Sequence, residues 1–400
     1  MGIRVDCFFP ANELSCGHTE LKHIKKINLE LYLLALALAT AVCGQAAGSG
    51  PDARGRQFIG LTSFAAFTET RGSRSDEILL TSPPIKSGIH FNELIVSWNA
   101  DLPKDCYIGI QARTSSAGTT TKYFNLGIWS RNSTQHPRQS QTGQKDDKGD
   151  VSTDTLILFQ PANSLQICLT LGSAGNSPAS KLKFLGLSLA DTNVSAGELP
   201  PQTNAWGKVI AVPERTQMIY PDGKTLCSPT TVSMIMGHWA QVLRRPELDR
   251  AVPEIVDAIY DSEWRGSGNW SFNMAYAGSF PGMRAYVARF SSVAELETWI
   301  AHNIPVGISL DYDRLRGKGP GPNGHLVVLV GFTKDGDPII NDPGTSEHVR
   351  KTFFRKNLID AWACSRNTVY LIYPENATVP DDSLGHWDSP LTRKWSAVPK

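Results

Sequence analysis

Four residues in the second half of the chain have the types and order that acyl-transfer chemistry needs. Cys227 stands in TLCSPTTVSMIMGHWA, where Val232, Ile235, Met236 and Trp239 fall at i, i+3, i+4 and i+7. That spacing predicts a helix with one apolar face, capped by Ser228 and with Pro229 in its first turn. A cysteine at a helix entrance meets unsatisfied N–H groups and the positive end of the dipole, which favour the thiolate and lower its pKa. A thiolate is a competent nucleophile. A buried, inert cysteine at a helix start is the alternative.

His325 follows Gly324, whose lack of a side chain lets another group come close. It opens the nearly all-apolar run HLVVLVGF, which predicts a central strand buried on both faces. At the end of such a strand an imidazole projects into a cleft, unless it is a core histidine satisfied by backbone. KDGD then predicts a turn and PIIND a returning strand. Asp342 ends that strand 17 positions after His325 (342 − 325), so a hairpin brings the carboxylate back towards the imidazole. There it orients the ring and stabilises its charged form. Asp-Pro-Gly is also an ordinary turn sequence. Gln217, in ERTQMIYPDG, offers an amide that can donate to an oxyanion together with the Cys227 N–H. The alternative there is a surface glutamine in a loop. His238, His302 and His348 do not combine with Cys227 in this way.

These residues need a scaffold, and the 400-residue chain is long enough for two domains. From about Phe58 to Ala190 it carries runs such as FNELIVSWNA, CYIGIQAR, KYFNLGIWS, TLILFQ, LQICLTL and LKFLGLSLA. Their alternation of apolar and polar residues predicts an all-β antiparallel sandwich over 56–190, jelly-roll-like. The polar, Pro-Pro-containing segment 191–205 reads as a linker. From Trp206 to Tyr373 helices and strands mix, which predicts an α+β domain over 206–373. A second helix is expected within PELDRAVPEIVDAIY, where Pro253 threatens a break. A third starts at Ser292, which has capping-box spacing to Glu295. Residues 374–400 read as a weakly patterned tail.

Residues 1–47 look like a targeting segment. Lys22, Lys25 and Lys26 precede the apolar run Leu31 to Val42, and small residues follow, with cleavage expected after Ala46 or Ala47. The run is too short for a normal membrane span, so no stable span is expected after processing. The protein is expected to be exported: extracellular, periplasmic or on the cell surface. Lipid attachment at Cys43 is the alternative, against which stands the large Val42.

Net charge is +1, with no acidic or basic tail, which gives no footprint for nucleic acid. No CxxC pair, zinc-spaced Cys/His group or HExxH occurs, and no cofactor or metal is expected. In an oxidising compartment Cys106 and Cys168 can form a disulfide or can pack as buried thiols. Trp98 and Trp129 suit either stacking on carbohydrate or, as is commoner on sandwich strands, the core.

The order of VPERTQM, LCSPTTVSMIMGHW, GHLVVLVGF and IINDP resembles the C-39-like cysteine peptidases of papain-like fold, relatives of the bacteriocin-leader peptidase domains. GNWSFNMAYAGSF, ARFSSVAELETWI and IPVGISL strengthen the resemblance, which covers about 206–373 and not the β-rich half. It implies Cys227 as nucleophile, His325 as general base and acid, Asp342 as orienting residue and Gln217 as oxyanion donor. Many relatives have Cys-Gly-Pro where this chain has Cys-Ser-Pro, a small change that activity should survive. The expected function is therefore a secreted peptidase acting on a peptide or protein, with an accessory sandwich for substrate, cell-surface or carbohydrate binding. Two alternatives stand: a cell-wall peptide amidase or transpeptidase using the same site, and a catalytically silent surface-binding protein.

Overall fold

A computed structural model describes residues 54–116, 118–173 and 180–381. The expected signal segment and residues 382–400 lie outside the described residues. Both halves are built on antiparallel sheet.

The first sheet holds β1 (Arg56–Leu61), β2 (Thr68–Arg71), β3 (Glu77–Thr81), β4 (Ile85–Asp101) and β5 (Cys106–Ser116). It continues with β6 (Thr119–Thr120), β7 (Phe124–Ser130), β8 (Gly149–Ser152), β9 (Thr155–Ser173) and β10 (Lys181–Ala190). Its main path runs β1-β10-β4-β9-β3-β2, with β5 also on β9. TLILFQ and LQICLTL, expected as two strands, are one 19-residue strand. That strand pairs with β4 and β8 near its start and with β3 and β5 further on. One long strand shared by both layers makes this a single curled sheet rather than two separate ones.

Register removes the disulfide option. Cys106 lies opposite Ser173 and Cys168 opposite Gln111, five residues further along β5. At ~3.3 Å per residue that separates the two by about 16 Å, and an odd offset puts them on opposite faces. A disulfide tolerates about 7 Å between Cα atoms. Cys168 instead accepts from the Thr81 hydroxyl at 3.5 Å.

The second half comprises α1 (Cys227–Leu243), α2 (Val252–Ile259), α3 (Trp270–Ala277), β11 (Met283–Arg289) and α4 (Val293–Ala301). Then follow β12 (Val306–Asp311), α5 (Tyr312–Leu315), β13 (Gly324–Phe332), β14 (Pro338–Asn341), β15 (Arg350–Thr352), α6 (Arg355–Ala363) and β16 (Thr368–Pro374). Strand order is β11-β16-β12-β13-β14-β15. HLVVLVGF forms an interior strand, buried from His325 to Phe332, as its composition predicts. Ser292 and Glu295 form the capping box of α4. Pro253 begins α2 instead of breaking it, because a proline in the first turn forfeits no helix hydrogen bond. The helix α3 and the strand β11 were not anticipated. Segment 191–205 is held down: Glu198 accepts from Ser292 Oγ and Val293 N–H, and Gln202 N–H donates to Glu297.

The two halves meet along β4. Asn99 brackets the backbone of Ala285, accepting from its N–H at 3.1 Å and donating to its carbonyl at 2.8 Å. Ser97 accepts from the Val287 N–H at 2.9 Å. These side chains cover the outer edge of β11, which would otherwise present unpaired backbone groups. Trp98 and Trp129 are core residues, packed on Phe272 of α3, and so are not stacking platforms for carbohydrate. Phe58 stacks on Tyr286 with ring centres 4.4 Å apart.

Candidate active site

Cys227 is the first residue of α1, with Leu226 before it. Ser228 is not the cap that the sequence suggested. It lies inside the helix, and its hydroxyl meets that of Tyr370 on β16 at 2.8 Å. This bond fastens the helix start to the sheet. The first turn of α1 holds no acidic residue, so the positive end of its dipole is not offset there by a carboxylate of the helix.

His325 lies on β13 and Asp342 just beyond β14, and the hairpin brings them together. His325 Nε2–H donates to Asp342 Oδ1 at 2.7 Å. That bond puts the ring proton on Nε2 and leaves the Nδ1 lone pair to act as a base. The other carboxylate oxygen accepts from the Tyr312 hydroxyl at 2.8 Å, and Gly344 N–H donates to Oδ1 at 2.9 Å. Burial pushes the Asp342 carboxyl upwards, but the His325 bond and charge, with Tyr312 and Gly344, outweigh it and hold it below the ordinary carboxylate range. Burial first, and then Asp342, raise the Tyr312 hydroxyl, which keeps it a donor. Its ring lies over His325, centres 4.2 Å apart. Tyr312 is positioned by Asp311, which caps α5 by accepting from Asp313 and Arg314 N–H groups.

Gln217 is buried beside the same turn. Its backbone N–H donates to Pro343 O at 2.9 Å, and its side-chain Oε1 has no hydrogen-bond partner. Two cavities flank the imidazole. One, of about 150 Å³, is lined by Cys227, Ser228, His325 and Leu326 together with Glu93 and residues 152–155 of the first half. The other, of about 850 Å³, is lined by Gln217, Leu226, Tyr312 and His325. His325 borders both, whereas Cys227 lines the first and Gln217 the second. Trp264 also borders both. Its ring lies so close to the backbone of Gly266 and Gly268 that a Cβ there would approach it to 2.7 and 2.6 Å. Asp261 fixes that loop, accepting from the N–H groups of Glu263, Trp264 and, from the first half, Ser140.

Sequence reasoning missed Tyr312, Trp264 and the residues that the first half contributes. A capping aspartate at a strand end (LDYDRL) and glycines close after a tryptophan (WRGSG) are the signals that were there to be read. Among the described residues no group of three or more His, Cys, Asp or Glu is arranged to hold a metal ion, and no helix is long and apolar enough to cross a membrane.

Comparison with known proteins accounts for both halves. Residues 55–189 match the model described as Peptidase C39 N-terminal domain, and residues 209–370 match the Peptidase_C39 like family. No curated protein matches the chain. Among solved structures it is similar to one of infectious bursal disease virus, Gt strain, at 12% identity and a TM-score of 0.20. A structure of the Gx strain is similar at 10% identity and a TM-score of 0.19. Each likeness covers 34% of this chain and about a third of the viral one, and at such scores carries no argument. With two matched family models following one another along it, the chain belongs to the C39-like cysteine peptidase family.

Proposed function

We propose that this protein is an exported cysteine peptidase of papain-like fold that hydrolyses a peptide bond through Cys227, His325 and Asp342. The observation that carries the proposal is the 2.7 Å bond from His325 Nε2 to Asp342, on an imidazole that lines the same cavity as the helix-initiating Cys227. His325 Nδ1 takes the thiol proton, and the helix dipole and imidazolium favour the resulting thiolate. The sulfur attacks the substrate carbonyl carbon, and the oxyanion accepts hydrogen bonds from the Cys227 N–H and the Gln217 amide. His325 then protonates the leaving amine as the C–N bond breaks. Water, deprotonated by the same imidazole, releases the acyl group and restores the thiol.

Asp342 acts through His325 and is a positioning residue. The β-rich half is proposed to act as part of the enzyme, forming one wall of the substrate cleft. Export rests on the lysine-rich, apolar N-terminal pattern.

The test is incubation of the purified chain with a proteome-derived peptide mixture, followed by mass spectrometry of new termini. New termini from the wild type that vanish with Cys227→Ala support the reading. Cleavage that survives the substitution contradicts it.

A further inference from the structure

We propose that the smaller cavity ends in a subsite for a carboxylate of the substrate, built by Arg366 and Arg289 around Glu93. The inference rests on the peptidase reading and names a substrate feature for it.

Charge is out of balance at this end of the cavity. Glu93, from β4, receives Arg289 on one oxygen and Arg366 Nε on the other, the latter at 2.9 Å. Two guanidinium groups thus share one carboxylate. Arg56 lies near enough for Arg289 and Arg366 to help hold its pKa down, after burial, to about 10. It is spent on the carbonyls of Gly55 and Asp191 and supplies no counter-anion. The Glu93 and Arg289 side chains are 5% and 4% exposed, but that of Arg366 is 42% exposed. Among the described residues no second carboxylate reaches Arg366, so its terminal NH2 groups are open to an acceptor. A guanidinium fork matches a carboxylate in two parallel hydrogen bonds.

The backbone that carries Arg366 is a hydrogen-bonded turn. Arg366 and Asn367, which follow α6, both adopt positive φ, 57° and 58°, the left-handed conformation in which many helices end. Bonds from Phe290 N–H to Asn367 O and from Asn367 N–H to Trp362 O fix the turn. Thr153, which also lines the cavity, is left-handed too, at 56°. Thr153 sits in the two-residue turn between β8 and β9, so both left-handed stretches are turn backbone that lines the cavity.

The other acid in the cavity, Asp154, does not balance the arginines. Its Oδ2 accepts from the Trp270 N–H at 2.6 Å and its Oδ1 from the Thr155 hydroxyl at 3.2 Å. It is occupied in holding the start of α3. The subsite also lies close to the chemistry. Ser365 donates to the Ser309 carbonyl, and Ser309 pairs with Leu326, one step along the strand from His325. A cavity of about 150 Å³ takes a side chain or a chain terminus, not a long peptide. The carboxylate therefore comes either from an Asp or Glu side chain near the scissile bond or from the substrate's C-terminus.

Binding tests this without catalysis. Trp264 and Trp270 line the cavity, so intrinsic fluorescence of the full-length Cys227→Ala chain reports occupancy. Four probes are titrated: N-acetyl-trialanine as free acid and as amide, and N-acetyl-Ala-Ala-Asp and N-acetyl-Ala-Ala-Asn, both as amides. The acid-bearing member of at least one pair should bind about tenfold tighter than its neutral partner, the worth of one charge-assisted pair. Preference in the first pair assigns a chain terminus and in the second a side chain. Arg366→Gln should abolish the preference and Arg366→Lys keep part of it. Equal binding within both pairs, preference that survives Arg366→Gln, or no saturable binding of any probe overturns the subsite. Because Cys227 is absent throughout, failure of the peptidase chemistry does not mimic any of these outcomes.

Discussion

His325 Nε2 donates to Asp342 Oδ1 across 2.7 Å, between a strand start and a strand end brought together by one hairpin. The bond selects the ring nitrogen that would serve Cys227 in the proposed mechanism. Asp342→Asn preserves the shape but lets an amide NH2 face Nε2, which favours the wrong tautomer. Peptide hydrolysis, or Cys227 alkylation near pH 6, should fall by about 10²–10⁴-fold with little loss of fold stability. A rate within a factor of two of wild type would show that the carboxylate does not set the tautomer.

Tyr312 holds the other oxygen of Asp342. Tyr312→Phe keeps the ring over His325 and removes one donor to the ionised carboxylate. The cost should be about 1.5–3 kcal/mol, or roughly ten- to 150-fold in rate. The sign in pH is fixed as well. A donor to the charged form lowers a carboxyl pKa, so its loss raises the pKa of Asp342. The acidic limb of the pH–rate profile should therefore move to higher pH. A rate loss with no movement of that limb would reduce Tyr312 to a packing role.

Asp154 should leave a signature in folding. Burial pushes its carboxyl up to about 6 in the folded state, against about 3.9 unfolded. The folded state then binds more protons between those values, so stability falls as pH rises from about 4 to about 6, by up to about 3 kcal/mol. Asp154→Asn keeps an acceptor for the Trp270 N–H and removes the titration. Urea unfolding at pH 5 and pH 7 should show a smaller fall in stability for the variant, with a gain at pH 7. Equal slopes would contradict the account. Asp342, held low, has the opposite sign and cancels in the comparison.

The shared edge predicts one folding unit. Removing residues 56–190 would uncover Phe272, Tyr286 and the outer edge of β11, the pattern that drives aggregation. The full chain should unfold in one calorimetric transition, and the truncated chain should be insoluble. Two separate transitions, or a soluble and folded truncation, would mean that the halves are independent.

Much of the site was legible because its signals are local. A hairpin brings His325 to Asp342, 17 positions later, through turn chemistry, and the apolar stripe after Cys227 marks its helix. Ser292 with Glu295 reads directly as a capping box. What escaped is non-local. Ser228 looks like a cap until its hydroxyl finds Tyr370, 142 positions away. β9 looks like two strands because PANS interrupts its pattern, yet pairing on both sides carries it through. Trp98 and Trp129 cannot be sorted between surface and core until α3 covers them. Glu93 and Arg289 are 196 positions apart, and nothing in spacing connects them.

The central claim is tested most directly by the pH dependence of Cys227 alkylation with iodoacetamide, followed by peptide mapping in the wild type and in His325→Ala. Cys364 is an internal reference, since burial pushes its thiol up. The account predicts that wild-type Cys227 reacts below pH 7 at least about tenfold faster than Cys364, and that His325→Ala loses this low-pH limb. Equal rates at the two cysteines, or a profile unchanged by His325→Ala, would contradict it.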